Sequence, residues 1–244
     1  RKLSEFRKNP KKLRAVFGGN VTPDYYANPH THRYDQPTRI EGMNVLLSAQ
    51  DARIKSMDDS KQFERYLVEG HYRVECCLLK TDHTFPIHPT RWLDIVSQSD
   101  FFVCLSGTDL PMCHHTIESL AVGTIPIMSY PDWFFPPLEH RKNALLYSGE
   151  ADLVAKVREA LSMSREEMLV MRKNAVEYHD RYLIPERFRE DLELHEGGPH
   201  TIMLHPRLRP TEAEQETGQE LLRQLNLNLS GSPLCEGEVR MRSK

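Results

Sequence analysis

Two histidines and a glutamate stand at helical spacing near the middle of the chain. His114, His115 and Glu118 follow the turn Ser-Gly-Thr-Asp-Leu-Pro at 106–111, and Gly123 stands where the helix should end. His114 and Glu118 are four residues apart, so their side chains are neighbours on a helix. The first turn of a helix offers free N–H groups and the positive end of the helix dipole, which together favour a phosphate. A carboxylate beside it can accept hydrogen bonds from a ribose or sugar diol.

A purely structural interpretation of these residues is also open. Charged groups are common near helix N-termini, so His114 and His115 could be surface residues while Glu118 complements the dipole. The predicted helix begins at Pro111, because proline suits the first helical position. On a wheel of that helix Cys113 falls in the apolar arc, and the two histidines and the glutamate fall on the adjoining polar edge.

Motif spacing predicts no metal site and no resident cofactor. The chain has no Asp-x-Asp pair, which would clamp Mg²⁺ or Mn²⁺ against a diphosphate. Its 12 histidines include no H-E-x-x-H and no paired Cys/His spacing of the kind that holds zinc. Neither G-x-G-x-x-G after a strand nor a P-loop is present, which argues against dinucleotide and P-loop folds. Positive charge for a phosphate could come from the helix dipole, from His, or from Arg141 and Lys142, which could equally be solvated surface charges.

The elements around these residues alternate between strand and helix. This alternation predicts an α/β fold with a doubly wound, Rossmann-like parallel sheet and right-handed crossovers. Ligands in such sheets bind at the carboxyl ends of the strands. The predicted strands are 13–17, 72–79, 101–105, 124–128 and 144–147. The predicted helices are 39–57, 58–69, a short one capped by Thr90, 111–122, one capped by Ser148, and 164–183 with a Ser164–Glu167 capping box.

Composition and pattern divide the chain into three parts. Residues 1–12 are expected to be a basic leader or the edge of a fragment, since the chain begins with Arg1 and not Met. Residues 13–189 carry the alternating pattern and form the predicted Rossmann-like domain. The periodicity degrades after that, so 190–244 are expected to form a loosely structured C-terminal extension.

The stretch 104–128, CLSGTDLPMCHHTIESLAVGTIPIM, resembles the donor-binding motif of GT-B glycosyltransferases, particularly the exostosin-like and bacterial polysaccharide-assembling members. Those proteins show a strand, a Gly-containing turn, a helix of the form H/R-x-x-E-A-x-x-x-G and then x-I-P-V/I. The Gly18-Gly19-Asn20 turn, Trp92 and Asn143 extend the likeness over residues 13–188. At position 110, many retaining members carry a glutamate where this chain has leucine, so neither retention nor inversion is inferred.

The resemblance implies the C-terminal, donor-binding half of a two-domain enzyme. In it, Glu118 would hold the ribose or donor-sugar hydroxyls, and His114 or His115 would face the diphosphate. Gly107 and the turn to Asp109 would let the backbone approach the donor. No catalytic residue is implied. The full set of implied donor-binding residues is Asn20, Gly107, Asp109, His114, His115 and Glu118.

The function that follows from the resemblance is transfer of a hexosyl or related sugar from a nucleotide-sugar to a glycan or other hydroxyl acceptor, without a metal. The acceptor-binding domain would be missing or lie upstream. The alternative is a non-catalytic nucleotide-sugar or carbohydrate-binding module, or a detached donor-binding half.

Composition limits the partners and the cell compartment. With 32 Lys+Arg against 35 Asp+Glu the net charge is -3, so no global basic field for nucleic acid exists. Five cysteines without a C-x-x-C pair predict free thiols in a reducing compartment. No apolar run approaches the roughly 20 residues of a membrane span. We therefore expect a cytoplasmic location or the cytoplasmic face of a membrane, and the Golgi lumen if an anchor precedes Arg1.

An aromatic loop, Trp133-Phe134-Phe135, is the other conspicuous feature. These rings could stack on a base or sugar, seat a partner domain, or contact a membrane surface in peripheral association. Aromatic side chains usually bury their area, so packing over the end of the sheet is the favoured interpretation.

Overall fold

The computed structural model describes residues 2–187 except 28, 58, 69–70, 82–84, 86 and 109. Among these residues six strands form one parallel sheet in the order β2-β3-β1-β4-β5-β6. The order changes direction between β1 and β4, which makes their carboxyl ends the topological switch point. The strands are β1 Leu13–Gly19, β2 Ile54–Met57, β3 Arg73–Lys80, β4 Ser99–Val103, β5 Ile125–Met128 and β6 Leu145–Leu146.

Helices cover both faces of the sheet, so the predicted doubly wound α/β fold is confirmed. They are α1 Leu3–Phe6, α2 Pro23–Tyr26, α3 Arg39–Leu47, α4 Ser60–Val68, α5 Pro89–Ser97, α6 His114–Ala121, α7 Gly149–Ser162 and α8 Arg165–Tyr182. Two short 3-10 helices span Pro29–Tyr34 and Pro131–Trp133.

Strand β4 shows why the sheet needs two covering layers. Phe101 and Val103 belong to the buried cluster that includes residues of α3 and α7. Phe102 and Cys104 belong to the cluster on the other side, with residues of α5 and α6. Because successive side chains of a strand point to opposite faces, an all-apolar strand is stable only when both faces are buried.

The predicted helix over 39–57 is wrong in its second half. Helix α3 ends at Leu47, and Ile54–Met57 forms the edge strand β2, which pairs with β3. Between them the backbone turns at Gln50, which has a φ of 48°, and the Asp51 carboxylate accepts a hydrogen bond of 3.0 Å from the Arg53 N–H. Strand pairing and this turn outweigh the helical spacing of Ile54.

The predicted start of α6 is also wrong. Pro111 does not open the helix, because its carbonyl accepts a hydrogen bond of 3.2 Å from the Gly107 N–H and closes a turn. The helix begins at His114, and Cys113 is its N-cap residue with an extended backbone. This displacement determines which side chains lie in the first turn of α6.

The observed N-terminal cap matches the predicted one in one of three helices and differs in the other two. The Ser164–Glu167 capping box at the start of α8 is present, as predicted. His88 and not Thr90 caps α5, because the His88 ring accepts a hydrogen bond from the Thr90 N–H. Ser148 occupies the N-cap position of α7 without a side-chain cap hydrogen bond.

The first residues of the chain contribute to the core. Phe6 is buried in the same cluster as Phe102, and the Lys11 ammonium donates to the carbonyl oxygens of Ser97 and Ser99, each at 2.8 Å.

The extension 190–244 lies outside the described residues, so the domain limits at 12/13 and 189/190 remain predictions. Within the described part of the chain no helix is long and apolar enough to cross a bilayer.

A network of buried charges lies at the amino end of the sheet. The Asp100 carboxylate, which is 3% exposed, accepts hydrogen bonds from the Tyr72 hydroxyl and from the Arg172 guanidinium. Arg14 lies 4.0 Å from Asp100 and donates to two carbonyls at the end of α7 at 3.0 and 2.7 Å. Removing one partner from such a network leaves the others buried without compensation.

Replacing Asp100 therefore tests how much this network contributes. We expect Asp100→Ala to lower the free energy of unfolding by about 3–5 kcal/mol, because it leaves the two arginine side chains without their carboxylate. The matched control is Glu139→Ala, which removes a carboxylate from the exposed pair with Lys142 and should cost less than about 1 kcal/mol. Urea unfolding of both variants measures the difference, and equal losses would contradict the assignment.

Candidate functional site

The implied donor-binding residues that the structure describes gather at the switch point. Strand β1 ends at Gly19 and is followed by Asn20, while β4 leads into the turn that contains Gly107. Helix α6 begins beside them at His114. The carboxyl ends of β1 and β4 and the N-terminus of α6 therefore border one crevice, as the predicted fold required.

A buried arginine ties the three segments of this crevice together. Arg39 is 3% exposed, and its guanidinium donates to the Ser106 carbonyl and to the Asn20 carbonyl, each at 3.1 Å. It also donates to the Cys113 sulfur at 3.3 Å. The guanidinium carbon lies 4.0 Å from the centre of the Tyr26 ring, a cation–π contact.

Sequence analysis missed Arg39, although its position carried a signal. The Thr38 hydroxyl accepts from the Glu41 N–H at 3.2 Å, and the Glu41 carboxylate accepts from the Thr38 N–H at 2.7 Å. The T-x-x-E pattern at 38–41 thus marks the start of α3 and makes Arg39 its first residue. What the pattern does not show is that this helix start faces the crevice.

His115 is buried, so the prediction that it lies on a polar edge is wrong. It is 6% exposed, and its ring centre lies 5.2 Å from that of Trp92 and 5.4 Å from that of Phe102. Two glycines make room for these rings. A Cβ on Gly18 would lie 2.8 Å from two Trp92 ring carbons, and one on Gly19 would lie 3.2 Å from the His115 ring.

Glu118 and His114 lie on the open side of α6, close to each other as their spacing predicted. The Glu118 Oε2 accepts a hydrogen bond of 2.7 Å from the Trp92 indole N–H. The same oxygen lies 3.9 Å from His114 Nε2, and the His114 side chain is 69% exposed. Both of these contacts use Oε2, and the indole fixes the orientation of the carboxylate.

Cys113 is the residue in the crevice whose protonation differs most from its ordinary state. Burial opposes ionisation of the thiol, but the His114 and His115 rings and the Arg39 guanidinium outweigh it and lower the Cys113 pKa to about 4. The contact with Cys113, at 3.8 Å between Sγ and Nδ1, raises the pKa of His114. The pair therefore favours a thiolate beside a protonated imidazole.

Two of the three loop residues that sequence analysis assigned to the donor, Gly107 and Asn20, have local structural roles. Gly107 needs its lack of a side chain for its own turn, because a Cβ there would lie 2.6 Å from the Leu110 carbonyl oxygen. The Asn20 Oδ1 accepts from the Thr22 N–H at 2.8 Å and from its hydroxyl at 2.6 Å. Asp109 lies outside the described residues. Contact of these residues with a donor remains a prediction.

Arg141 and Lys142, considered as phosphate ligands, are engaged in ion pairs away from the crevice. Arg141 pairs with Glu159 and Glu167, each at 2.6 Å, and Lys142 pairs with Glu139 at 2.5 Å. Their interpretation as surface charges is therefore the better one.

The three residues of the aromatic loop differ in how far their side chains are buried. Phe134 is buried, and the Trp133 ring packs edge to face on Tyr34 with 5.6 Å between ring centres. These two residues are packed against other parts of the chain, while their predicted position over the end of the sheet stays a prediction. Phe135 is 91% exposed, so this interpretation is wrong for it.

Comparisons with known proteins give likenesses of structure only. No family model matches the chain, and no curated protein matches it. TarM of S. aureus, in a complex with Fondaparinux, alpha-GlcNAc-glycerol and UDP, superposes with a TM-score of 0.47 at 12% identity, covering 78% of this chain and 37% of TarM. HepE of Anabaena, in a complex with UDP and glucose, gives 0.45 at 12% identity, covering 79% of this chain and 52% of HepE.

A third similar structure is WaaG, described as a glycosyltransferase involved in lipopolysaccharide biosynthesis. It has a TM-score of 0.41 and 12% identity, and the match covers 80% of this chain and 50% of WaaG. The chain thus spans about a third to a half of the length of these proteins.

The ionisation of Cys113 can be measured directly. We expect the ultraviolet thiolate absorbance of the wild type, minus that of Cys113→Ser, to persist down to about pH 5 and to fall as the pH approaches about 4. Burial raises the pKa of Cys77 and Cys104 to about 12, so neither contributes at neutral pH. A difference that appears only above about pH 8, the ordinary range for a thiol, would contradict the assigned environment.

Proposed function

We propose that the described domain is the donor-binding half of a GT-B glycosyltransferase and binds a nucleotide-sugar. One observation carries this proposal: the motif at 104–128 places Glu118 and the N-terminus of α6 together at the switch point of the sheet. Nucleotides bind parallel sheets at that place, with phosphate at a helix N-terminus. The likeness of 104–128 to the GT-B donor-binding motif is the reason for proposing that the bound nucleotide carries a sugar.

The crevice offers separate groups for the two parts of the donor. The first-turn N–H groups of α6 and the exposed His114 ring would bind the diphosphate. Glu118 would accept hydrogen bonds from a ribose or sugar diol, chiefly through Oε1, since Trp92 and His114 lie at Oε2. Arg39 is buried and three of its five N–H groups donate to acceptors of the chain itself, so it would act chiefly through its charge and by holding the loops.

In the proposed transfer, the bond from the anomeric carbon to the diphosphate oxygen breaks and an acceptor hydroxyl oxygen bonds to that carbon. The acceptor's proton leaves to a base, and negative charge develops on the departing diphosphate. The α6 terminus, His114 and the Arg39 charge would stabilise that negative charge, so this half would contribute positioning and leaving-group stabilisation. The base and the glycan or other hydroxyl acceptor belong to the acceptor-binding half, and independence from a metal stays a prediction.

A second candidate is a non-catalytic nucleotide-sugar or carbohydrate-binding module. Glu118 would be a binding group in either case, because its carboxylate is held by the Trp92 N–H at 2.7 Å and is suited to accept hydrogen bonds from a ligand. Initial rates of sugar transfer or donor hydrolysis, measured with the whole protein, separate the two candidates. Binding without turnover would support the module.

Two substitutions of Glu118 test donor binding. UDP-glucose is the first probe, and we expect Glu118→Ala to weaken its binding by about ten-fold or more, because a hydrogen bond to a charged group contributes about 1.5–3 kcal/mol. Glu118→Gln can still accept from Trp92, so it should preserve the local packing while it also weakens binding. Isothermal calorimetry measures both, and Glu139→Ala is the exposed carboxylate control. Affinity unchanged in both Glu118 variants would overturn the assignment.

A further inference from the structure

We propose that Cys113, His114 and His115 form a three-ligand site for a divalent cation of the zinc class. The proposal goes beyond nucleotide-sugar binding and does not depend on it. With an ion bound, the His114 ring would hold the ion and would not itself contact a diphosphate. Each residue offers one ligand atom, and within the described part of the chain these three atoms lie within 4.8 Å of one another. The residues are adjacent in sequence, so they match none of the spaced Cys/His motifs that are typical of zinc sites.

The local geometry is close to that of a metal centre. In a tetrahedral zinc site, bonds of about 2.3 Å to sulfur and about 2.1 Å to nitrogen place the two ligand atoms about 3.6 Å apart. The distance from Cys113 Sγ to His114 Nδ1 is 3.8 Å. Small side-chain rotations would therefore bring both atoms onto one ion. Cys113 is the N-cap residue of α6 and has an extended backbone.

His115 supplies an independent indication that a ligand belongs here. Its side chain is more than nine-tenths buried, and its Nδ1 has no hydrogen-bond partner among the described residues. A buried ring nitrogen without a partner is costly, because it has given up its water without a replacement. Coordination to a cation through Nδ1, one of the two ring nitrogens that can ligate a metal, would satisfy this nitrogen.

The surrounding groups are suited to support metal ligands. His114 Nε2, on the far side of the ring from Cys113, lies 3.9 Å from the Glu118 carboxylate, which Trp92 holds in place. A carboxylate that accepts a hydrogen bond from a ligating histidine orients the ring and raises its basicity, and Glu118 would do so after a side-chain shift of about 1 Å. The Arg39 N–H donates to the Cys113 sulfur at 3.3 Å, which would balance part of the negative charge of a thiolate ligand.

The composition of the site selects the class of cation. One thiolate and two imidazoles are ligands that zinc and neighbouring transition metals prefer, whereas Mg²⁺ and Ca²⁺ prefer oxygen. Three protein ligands leave one tetrahedral position open, and the exposed His114 places the site at the surface of the crevice. Water or an oxygen of an anionic ligand would take the open position.

Cobalt is the probe, because Co²⁺ replaces zinc and reports its own ligands by absorption. The whole protein is treated with a chelator, dialysed, and titrated with Co²⁺ in the absence of any nucleotide. We expect one equivalent to bind, with a thiolate-to-cobalt charge-transfer band in the near ultraviolet and strong visible bands of a tetrahedral ion. Zn²⁺ should abolish both sets of bands.

Variants identify the ligands. Cys113→Ser should lose the charge-transfer band, and His114→Ala should weaken Co²⁺ binding by more than the 10–100-fold that loss of a supporting group costs. His114 is exposed, so its variant should remain folded even if Cys113→Ser does not. His71→Ala, which removes an exposed histidine from another part of the surface, should change nothing. A missing charge-transfer band in the wild type, or equal binding in His114→Ala, would overturn the site.

Discussion

The crevice depends on the burial of one guanidinium among acceptors from three segments. Arg39 can be almost fully buried because the carbonyls of Asn20 and Ser106 and the sulfur of Cys113 accept its hydrogen bonds. A buried charge without such partners would be too costly to keep. Two of the acceptors are neutral carbonyls, so the group that offsets the guanidinium charge is the thiolate of Cys113, whose pKa Arg39 lowers together with the His114 and His115 rings.

The two ends of the sheet use buried charge differently. At the amino end, the carboxylate of Asp100 lies against arginine side chains, so the charges compensate one another and tie α8 to the sheet. At the carboxyl end, Arg39 has carbonyls and a sulfur in place of a carboxylate. The first arrangement stabilises the fold, while the second leaves a polarised crevice on a rigid sheet, which is what recognition of a charged ligand requires.

Much of the fold could be predicted from sequence because the signals are local. All-apolar Phe101–Val103 indicates a strand buried on both faces, and Ser164 with Glu167 marks the start of a helix through hydrogen bonds within one turn. The failures have a common cause. Ile54 repeats at helical spacing but pairs with β3, and Pro111 is suited to a helix start but closes a turn with Gly107. Pairing and turn closure depend on residues far away or on backbone geometry, which a periodic pattern does not contain.

The sequence by itself determined the class of fold and the closeness of His114 to Glu118, because strand alternation and i,i+4 spacing follow from the chain alone. Only the tertiary structure decided what surrounds them. It buried His115 against Trp92 and Phe102, attached Trp92 to Glu118, and brought Arg39 to Cys113 across 74 positions of sequence. Contacts of this kind are made by the packing of separate elements, so the chemical state of the crevice is a property of the folded chain.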